Sequence, residues 1–421
     1  MGKHGKKCSQ YSQQKLARAQ HRNEFFRKLQ LVCNAAGSPG TYHLIPAKEL
    51  ERIYLMRCQT VRVQAAPGQD VPAKMLNDSK KIVSAMLKQQ FSPIIKGGPE
   101  ISLNDLFSVG LSLLTYLARL KDNEYTVAAE IKKALSNFNE NTIEYKSAWN
   151  FFCGTMNTIG LVNSDFDDLI YWCKLELMAE MHEMPCIGFC MNIYCVHPER
   201  IQAALDNSNR PAIRVGWGTN EPGPQVDWIG INASDLKLRN TEPEKQFAVY
   251  IQSHALMRLD ERIDCIYAGM LNFHIYNSLK RPEIFIDCKG NYLFEYRLFD
   301  KKAGYLLGSM IEGNIIIRTF LFLTNCGTPE GNRLRKDTGL KMEDMKYLDI
   351  DKLSTFVHSD IRHNERVKEI FLNAGCGSLF EVDNQTMLDM NKTKSKSSAE
   401  LIAMYLGLEL DDTENENAGR V

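Results

Sequence analysis

One ten-residue segment carries side chains suited to acid–base and phosphate chemistry. It reads SHALMRLDER, from Ser253 to Arg262. On an α-helix, His254 and Arg258 stand one turn apart and Arg262 follows one turn later, so one face presents an imidazole and two guanidinium groups in line. Glu261 stands three residues from Arg258 and is placed to hold that guanidinium in position.

This row of side chains suits the cleavage of RNA by attack of a 2′-hydroxyl on phosphorus. Arginine offers paired planar donors to phosphate oxygens, and histidine transfers protons near neutral pH. We therefore predict His254 as the general acid or base, with Arg258 and Arg262 stabilising the charged phosphorane. No cluster of carboxylates stands near them in the sequence to hold two metal ions, so the predicted reaction is metal-independent and uses no cofactor.

The same segment and the strands after it resemble the RelE-like toxin families of the barnase, EndoU, colicin and RelE ribonuclease superfamily. The resemblance covers residues 246–324 and rests on the helix pattern H-A-x-x-R-x-x-E-R followed by a small antiparallel sheet. In such families, a basic residue of the leading helix and polar residues of the sheet line the active site. The resemblance thus implies a ribonuclease of toxin or defence type, with Arg297 and Thr319 as candidates on the sheet face.

Non-catalytic interpretations stay open beside this one. A helix with charges four residues apart is also an ordinary solvated helix face, and a leading histidine often sits at a helix start. A nucleic-acid-binding or protein-binding scaffold on the same fold would not need His254. Two segments suit a protein partner. The basic residues 1–30 suit an acidic partner or phosphate, or form a solubilising tail, and the apolar run 399–410 suits docking and equally suits packing on its own domain.

Five metal-ligand residue types also cluster, at His182, Cys186, Cys190, Cys195 and His197. They would suffice for a tetrahedral zinc site, but their spacing lacks the C-x2-C pair of common zinc modules. The run PCIGFCMNIYCVH alternates like a buried strand, which would place Cys186 and Cys190 on one face and Cys195 on the other. We therefore favour buried structural cysteines over a zinc site.

The apolar periodicity indicates an α+β protein with a helical N-terminal part. Spacings of three and four predict helices over 47–58, 77–91, 102–122 and 166–181. In the C-terminal half, they predict helices over 254–262 and 266–279, and strand-like runs follow at 283–288, 291–299 and 314–324. We expect these helices to precede a small antiparallel sheet.

These patterns divide the chain into five parts. They are a basic arm (1–30) that is flexible until a helix begins near Gln13, a helical domain (31–184), an irregular α+β connector (185–245), a helix-plus-sheet domain with trailing helices (246–385), and a polar linker, terminal helix and acidic tail (386–421). Within the fourth part, the stretch 325–339 has turn composition, and its GTPEG sequence predicts a turn.

Composition limits the class of protein. Lys and Arg number 51, and so do Asp and Glu, so binding to nucleic acid would need a local patch. The most apolar helical stretch, 106–120, is shorter than the roughly 20 residues that cross a bilayer. With no secretory signal pattern and with mostly isolated cysteines, we expect a cytoplasmic protein that does not contact a membrane. Phosphate-loop, dinucleotide-binding, nucleophile-elbow and H-E-x-x-H motifs are absent from the sequence, which disfavours the enzyme classes built on them.

Overall fold

The structure is a computed structural model that describes residues 3–57, 61–163, 169–180, 186–205, 208–239, 241–382, 398–406 and 408. The chain forms two compact units. The first comprises residues 1–160 and 173–194, and the second comprises residues 161–172 and 195–421. Helices dominate the first unit, whereas a single large sheet dominates the second.

The described elements as far as residue 196 are mostly helical. The helices are α1 (Lys3–Ala35), α2 (Thr41–Leu44), α3 (Ala47–Leu55), α4 (Ala73–Gln89), α5 (Leu103–Asp105), α6 (Leu111–Arg119), α7 (Ala128–Ala134) and α8 (Ile143–Asn163), with a π-helical turn, Leu106–Gly110, between α5 and α6. The strands are β1 (Val61–Ala65), β2 (Phe91–Pro93), β3 (Glu100–Ser102), β4 (Ile170–Glu180) and β5 (Cys186–Val196).

Aromatic side chains form the core of the first unit. The ring of Phe152 in α8 lies 4.3 Å from that of Phe107 and 4.8 Å from that of Phe189 in β5, measured between ring centroids. Ser102 begins the helical segment that carries Phe107, because its hydroxyl accepts a hydrogen bond from the backbone N–H of Asp105 (3.1 Å). The helices predicted over 47–58, 77–91 and 102–122 correspond to α3, α4 and the α5–α6 segment.

Helix α1 begins ten residues before the expected helix start at Gln13 and is continuous. Its Phe25, Leu29 and Val32 are buried in the first unit. This differs from the arm expected for residues 1–30. The reason is that apolar residues at spacings of four and three give the second half of the helix a face that packs into the core.

The helix predicted over 166–181 is wrong, because β4 occupies residues 170–180. Strand β5 lies between β1 and β4 in a three-stranded sheet, and β1 runs parallel to it. The amide of Asn192 in β5 donates to the carboxylate of Glu176 in β4 (2.7 Å). The Ile-Tyr-Trp sequence that opens β4 favours a strand, and pairing with β5 overrides the helical spacing that follows it.

The described elements after residue 196 begin with strands and end with helices. The strands are β6 (Arg200–Leu205), β7 (Ser208–Arg214), β8 (Gly216–Thr219), β9 (Gln225–Trp228), β10 (Gly230–Asn232), β11 (Gln246–Ile251), β12 (Ile284–Ile286), β13 (Tyr292–Leu298), β14 (Lys301–Ile311) and β15 (Asn314–Phe322). The helices are α9 (Ser253–Arg262), α10 (Ala268–Lys280), α11 (Pro329–Thr338), α12 (Met342–Tyr347), α13 (Leu353–His358), α14 (Glu365–Asn373) and α15 (Ala399–Tyr405). None of the described helices combines the length and the apolar character that a membrane crossing requires.

One sheet organises the second unit. Its order is β12-β13-β14-β15-β11-β7-β6, and β10 pairs with β11 as an eighth strand. Strand β11 is parallel to β15, with Ile251 opposite Ile317, and its other pairings are antiparallel. The α+β class is therefore confirmed. The expectation of a small sheet is wrong, because β6, β7 and β10 come from the segment expected to be an irregular connector and join the same sheet.

Strand β14 has no counterpart among the sequence predictions, because two glycines interrupt its apolar pattern. A Cβ on Gly304 would stand 2.2 Å from the carbonyl oxygen of Leu321 and 2.7 Å from the ring of Phe320. A Cβ on Gly308 would stand 2.8 Å from the ring of Phe294. Neighbouring groups thus occupy the space next to both glycines, a requirement of packing that strand propensity does not reveal.

Helix α11 lies within the stretch that was expected to form turns. The Thr328 hydroxyl accepts a hydrogen bond from the backbone N–H of Gly331 (2.9 Å), and Pro329 occupies the first helical position. Both features are typical of a helix start. The turn predicted for GTPEG is therefore wrong.

Helix α15 packs within the second unit. Ile402 and Ala403 are fully buried, and the backbone N–H of Ala399 donates to the carboxylate of Asp360 (2.6 Å). The described part of the apolar run 399–410 is thus engaged within the chain. Of the linker expected at 386–398, all but Ser398 lies outside the described residues, and so does the acidic tail.

His274 of α10 packs against the turn between β13 and β14. Phe299 and Asp300 form this turn with positive φ angles of 48° and 62°, as a two-residue hairpin connection requires. The His274 ring lies edge-on to the Phe299 ring, with 4.8 Å between centroids. Burial lowers the pKa of His274 to about 4, against a smaller opposing effect of the Asp300 carboxylate. Its Nε2 has no hydrogen-bond partner among the described residues.

The packing of β14 predicts that Gly304→Ala lowers the free energy of unfolding by about 1–3 kcal/mol, the usual range for an overpacked core site. Urea denaturation followed by circular dichroism measures the change. Gly223→Ala is the control, because no atom of the described residues lies within 4 Å of a Cβ built there, and we expect a change within about 0.5 kcal/mol. Equal effects of the two substitutions would contradict this account of β14.

The buried His274 predicts a pH dependence of stability. Since its pKa falls from 6.5 in the unfolded chain to about 4 in the folded protein, the unfolded state binds the proton more tightly between these values. Stability from this group is therefore complete above pH 6.5 and is lost as the pH falls, by up to about 3 kcal/mol. His274→Leu should show a shallower loss than the wild type in urea denaturation across this range. His358→Leu, which changes an exposed histidine, should retain the wild-type slope, and parallel slopes for all three proteins would exclude the role of His274.

Candidate functional site

Helix α9, which carries the predicted row of side chains, is fixed by the sheet beneath it. The chain leaves β11 and hydrogen-bonds once more to β15, from the backbone N–H of Gln252 to the carbonyl oxygen of Ile317 (3.0 Å). Ala255 and Leu259 are buried on the inner face of α9. His254 is exposed on its first turn. Because the apolar side chains of α9 pack into the core, its polar side chains form a stripe on the outer face.

A pocket of about 200 Å³ lies where α9, the end of β15 and α12 meet. Arg258 and Arg262 line it from α9, and Thr319 lines it from β15. Its other lining residues come from the end of β15, the following loop, α12 and the segment after it, and they are Phe320, Leu321, Asn325, Cys326, Met342, Met345, Lys346 and Asp351. The pocket thus combines cationic and polar groups with two thioether side chains.

A buried ion pair joins α9 to the segment after α12. Arg262 Nη1 donates to Asp351 Oδ2, and the two side chains are 13% and 1% exposed. Burial raises the pKa of the Asp351 carboxyl above its ordinary value, whereas the neighbouring Arg262 guanidinium acts in the opposite direction. Arg262 therefore neutralises a charge that the protein has removed from water.

Arg258 stands one turn earlier and is held differently. Arg258 Nη1 donates to Glu261 Oε2 at 2.7 Å, and the two side chains are 40% and 45% exposed. Lys346 on α12 is exposed at the same pocket. Because exposed ion pairs are weak and exchange with solvent, Arg258 and Lys346 are the cations that a ligand in the pocket can recruit.

The structure brings together three of the six predicted site residues, namely Arg258, Arg262 and Thr319. Glu261 contacts Arg258, and His254 lies one helical turn before Arg258, outside the pocket lining. Arg297 also lies outside the lining, because its guanidinium binds Glu295 (2.7 Å) and Glu283 (2.9 Å) within the β12–β13 region.

Three polar residues of the pocket, Asn325, Lys346 and Asp351, have no motif in the sequence. They lie between 63 and 93 positions after Arg258 and Arg262 along the chain, and each belongs to a segment with ordinary loop or helix composition. The helical period of 340–357 indicates α12 and α13 but gives no sign that residues beside them face α9. Only the folded chain reveals them as parts of one pocket.

The cysteine and histidine cluster has no metal-site geometry in the described chain. Cys190 is buried, its thiol donates to Asn192 Oδ1 (3.4 Å), and burial raises its pKa. His182 lies outside the described residues, and the side chain of Cys186 is not among those described. Across the described part of the chain, no group of three or more His, Cys, Asp or Glu side chains is arranged to hold a metal ion.

A second polar cluster ties the sheet to α11. Lys302 Nζ contacts Glu330 Oε1 (2.9 Å) and Glu295 Oε2 (3.1 Å), while the Tyr305 hydroxyl donates to Glu330 Oε2 (3.1 Å). Both carboxylates and Tyr305 are buried. Because these groups satisfy one another, the cluster is a structural tie between β13, β14 and α11.

A separate cavity of about 290 Å³ lies between α9 and α10, on the side of α9 that faces away from Arg258 and Arg262. Ser253, Met257, Asp260 and Asn272 are among the residues that line it. It holds no cationic side chain among its lining residues, in contrast to the pocket between α9, β15 and α12.

Comparison with known proteins adds no assignment to either cavity, since no protein-family model, curated protein or solved structure matches this chain.

The buried ion pair predicts a large asymmetry between single and double substitutions. Arg262→Ala should lower the free energy of unfolding by about 3 kcal/mol or more, because it leaves the Asp351 carboxylate buried without its partner. The double substitution Arg262→Met with Asp351→Leu should recover most of the lost free energy of unfolding, since apolar residues of similar volume replace both charges. Urea denaturation provides the measurement.

Arg258→Ala is the matched control for this prediction, because it removes an exposed arginine from the same helix. We expect it to cost at most about 1 kcal/mol. If Arg262→Ala and Arg258→Ala prove equally mild, the ion pair does not fix α9 as described.

Proposed function

We propose that this protein binds RNA through the pocket between α9, β15 and α12. The observation that carries the proposal is the convergence there of Arg258 and Lys346, two solvent-accessible cations from separate helices, beside Thr319 and Asn325. Arginine offers planar paired donors to phosphate oxygens, and lysine adds a flexible point charge. Hydroxyl and amide groups complete the set of side chains that commonly contact a nucleic-acid backbone.

The size of the pocket supports a chain-like ligand. Pockets for whole drug-sized molecules measure about 300–1,000 Å³, and this one measures about 200 Å³. A single sugar–phosphate unit of a longer strand suits such a volume better than a complete nucleotide. The balanced overall charge agrees with this, because a protein without a global positive field must bind phosphate through a local site.

Ribonuclease activity of the toxin or defence type is the second candidate, and His254 favours it. Its imidazole is exposed on the same stripe of α9 as Arg258, about 6 Å away along the helix axis at 1.5 Å per residue. His254 would transfer the proton as general acid or base, and Arg258, held by Glu261, would stabilise the phosphorane. Arg262 would act as support, since its guanidinium is committed to Asp351.

Binding is tested with a fluorescent single-stranded RNA titrated at several salt concentrations. Arg258→Ala and Lys346→Ala should each weaken binding and reduce the slope of log K against log salt by about 1, the value for one lost phosphate contact. Arg335→Ala, an exposed arginine on α11 outside the pocket, should leave both quantities unchanged. Absence of RNA binding by the folded wild type, or equal effects of all three variants, would refute the proposed site.

Cleavage is tested on the same RNA in EDTA. His254→Ala should reduce the rate by about 10²–10⁴-fold while the affinity for RNA stays within twofold of wild type, because the imidazole transfers protons and does not anchor phosphate. A wild type that binds RNA without cleaving it would eliminate the ribonuclease candidate and leave the binding function. Equal cleavage by wild type and His254→Ala would show that His254 is not the proton-transfer group.

A further inference from the structure

Asp351 lines the pocket, and one oxygen of its carboxylate has no hydrogen-bond partner among the described residues. Oδ2 accepts from Arg262, whereas Oδ1 is buried and accepts no hydrogen bond from any described residue. Asp351 is among the residues that line the pocket, although the residue is only 1% exposed. Leaving a buried acceptor unsatisfied costs about 1–3 kcal/mol, and more for a charged group. A ligand that supplies a donor here would recover that free energy.

The surroundings narrow the chemistry of this donor. Arg258, Arg262 and Lys346 surround the same pocket, so the ligand group beside them is anionic. Only one oxygen of the Asp351 carboxylate lacks a partner among the described residues. It can accept from a single donor of the ligand, whereas the edge of a guanine base offers two donors side by side. The volume of about 200 Å³ lies below the range of pockets for drug-sized ligands, so it suits a small part of a longer ligand. A hydroxyl attached next to a phosphate meets all three conditions.

We infer that Asp351 is a specificity-determining residue that distinguishes RNA from DNA by accepting a hydrogen bond from the ribose 2′-hydroxyl. This inference rests on the proposed RNA-binding function and adds to it the part of the ligand that is recognised. The 2′-hydroxyl is the donor that RNA has and DNA lacks, and it lies beside the backbone phosphate. Arg262 orients the carboxylate, while Arg258 and Lys346 bind the phosphate.

The experiment compares three single strands of identical sequence: RNA, DNA and 2′-O-methyl RNA. Binding is measured in the His254→Ala background so that the RNA stays intact. With Asp351 present, RNA should bind about 10–100-fold more tightly than DNA, as expected for one hydrogen bond to a charged group. The 2′-O-methyl strand should bind like DNA, because the methyl group removes the donor.

The protein side of the test uses the charge-free pair Arg262→Met with Asp351→Leu. This variant should bind RNA and DNA equally, at the affinity of DNA for the parent. Arg335→Met with Asp337→Leu removes the same charges from the exposed face of α11 and should keep the preference for RNA. Circular dichroism and urea denaturation establish that each variant is folded.

Four results would overturn the inference. Equal binding of RNA and DNA by the parent would remove it while leaving nucleic-acid binding intact, and so would 2′-O-methyl RNA binding as tightly as RNA. A preference for RNA that survives in the Arg262→Met, Asp351→Leu variant would assign recognition to another residue. If the parent binds none of the three strands, the proposed function itself fails, and the inference fails with it. The comparison of strands needs no substitution at Asp351, so it tests recognition of the 2′-hydroxyl even if the double variant does not fold.

Discussion

The parallel pairing of β11 with β15 is the constraint on which the second unit depends. It joins the antiparallel strands β12 to β15 to the group formed by β6, β7, β10 and β11, and so produces one sheet instead of two. Parallel neighbours cannot be linked by a tight turn. The chain between them here includes α9 and α10 before it returns through β12, β13 and β14. The position of α9 over β15 therefore follows from the order of the strands.

The Arg262–Asp351 ion pair fixes the other side of the pocket. It connects the last turn of α9 to a segment 89 residues later in the chain, and burial makes the two charges depend on each other. A pair of apolar residues would hold the same segments together at least as well. What the charged pair adds is a pocket-lining carboxylate whose second oxygen is buried and has no partner among the described residues. The same pair thus fixes α9 and, in the proposed function, supplies the acceptor for the ligand.

The two arginines of α9 differ in burial and in the groups with which they pair. Arg262 is nearly buried and committed to Asp351, whereas the side chain of Arg258 is 40% exposed and pairs with Glu261. A group held in a buried pair positions its neighbours, and an exposed cation remains available to phosphate. Arginines that look equivalent on one helical stripe therefore differ in burial and in pairing, a difference that their spacing alone does not reveal.

The sequence by itself determined the elements whose pattern is local. The exposed stripe of α9, its buried Ala255 and Leu259, and the strands β12, β13 and β15 follow from the spacing of apolar residues, because a residue's side in a helix or strand depends on its near neighbours. Only the tertiary structure decided that 170–180 forms a strand and that β6, β7 and β10 enlarge the sheet. It also decided which residues line the pocket beside α9: Arg297 is not among them, whereas Asn325, Lys346 and Asp351 are. The physical reason is that periodicity reports which face of an element is buried, whereas strand pairing and buried charge select a partner that is distant along the chain.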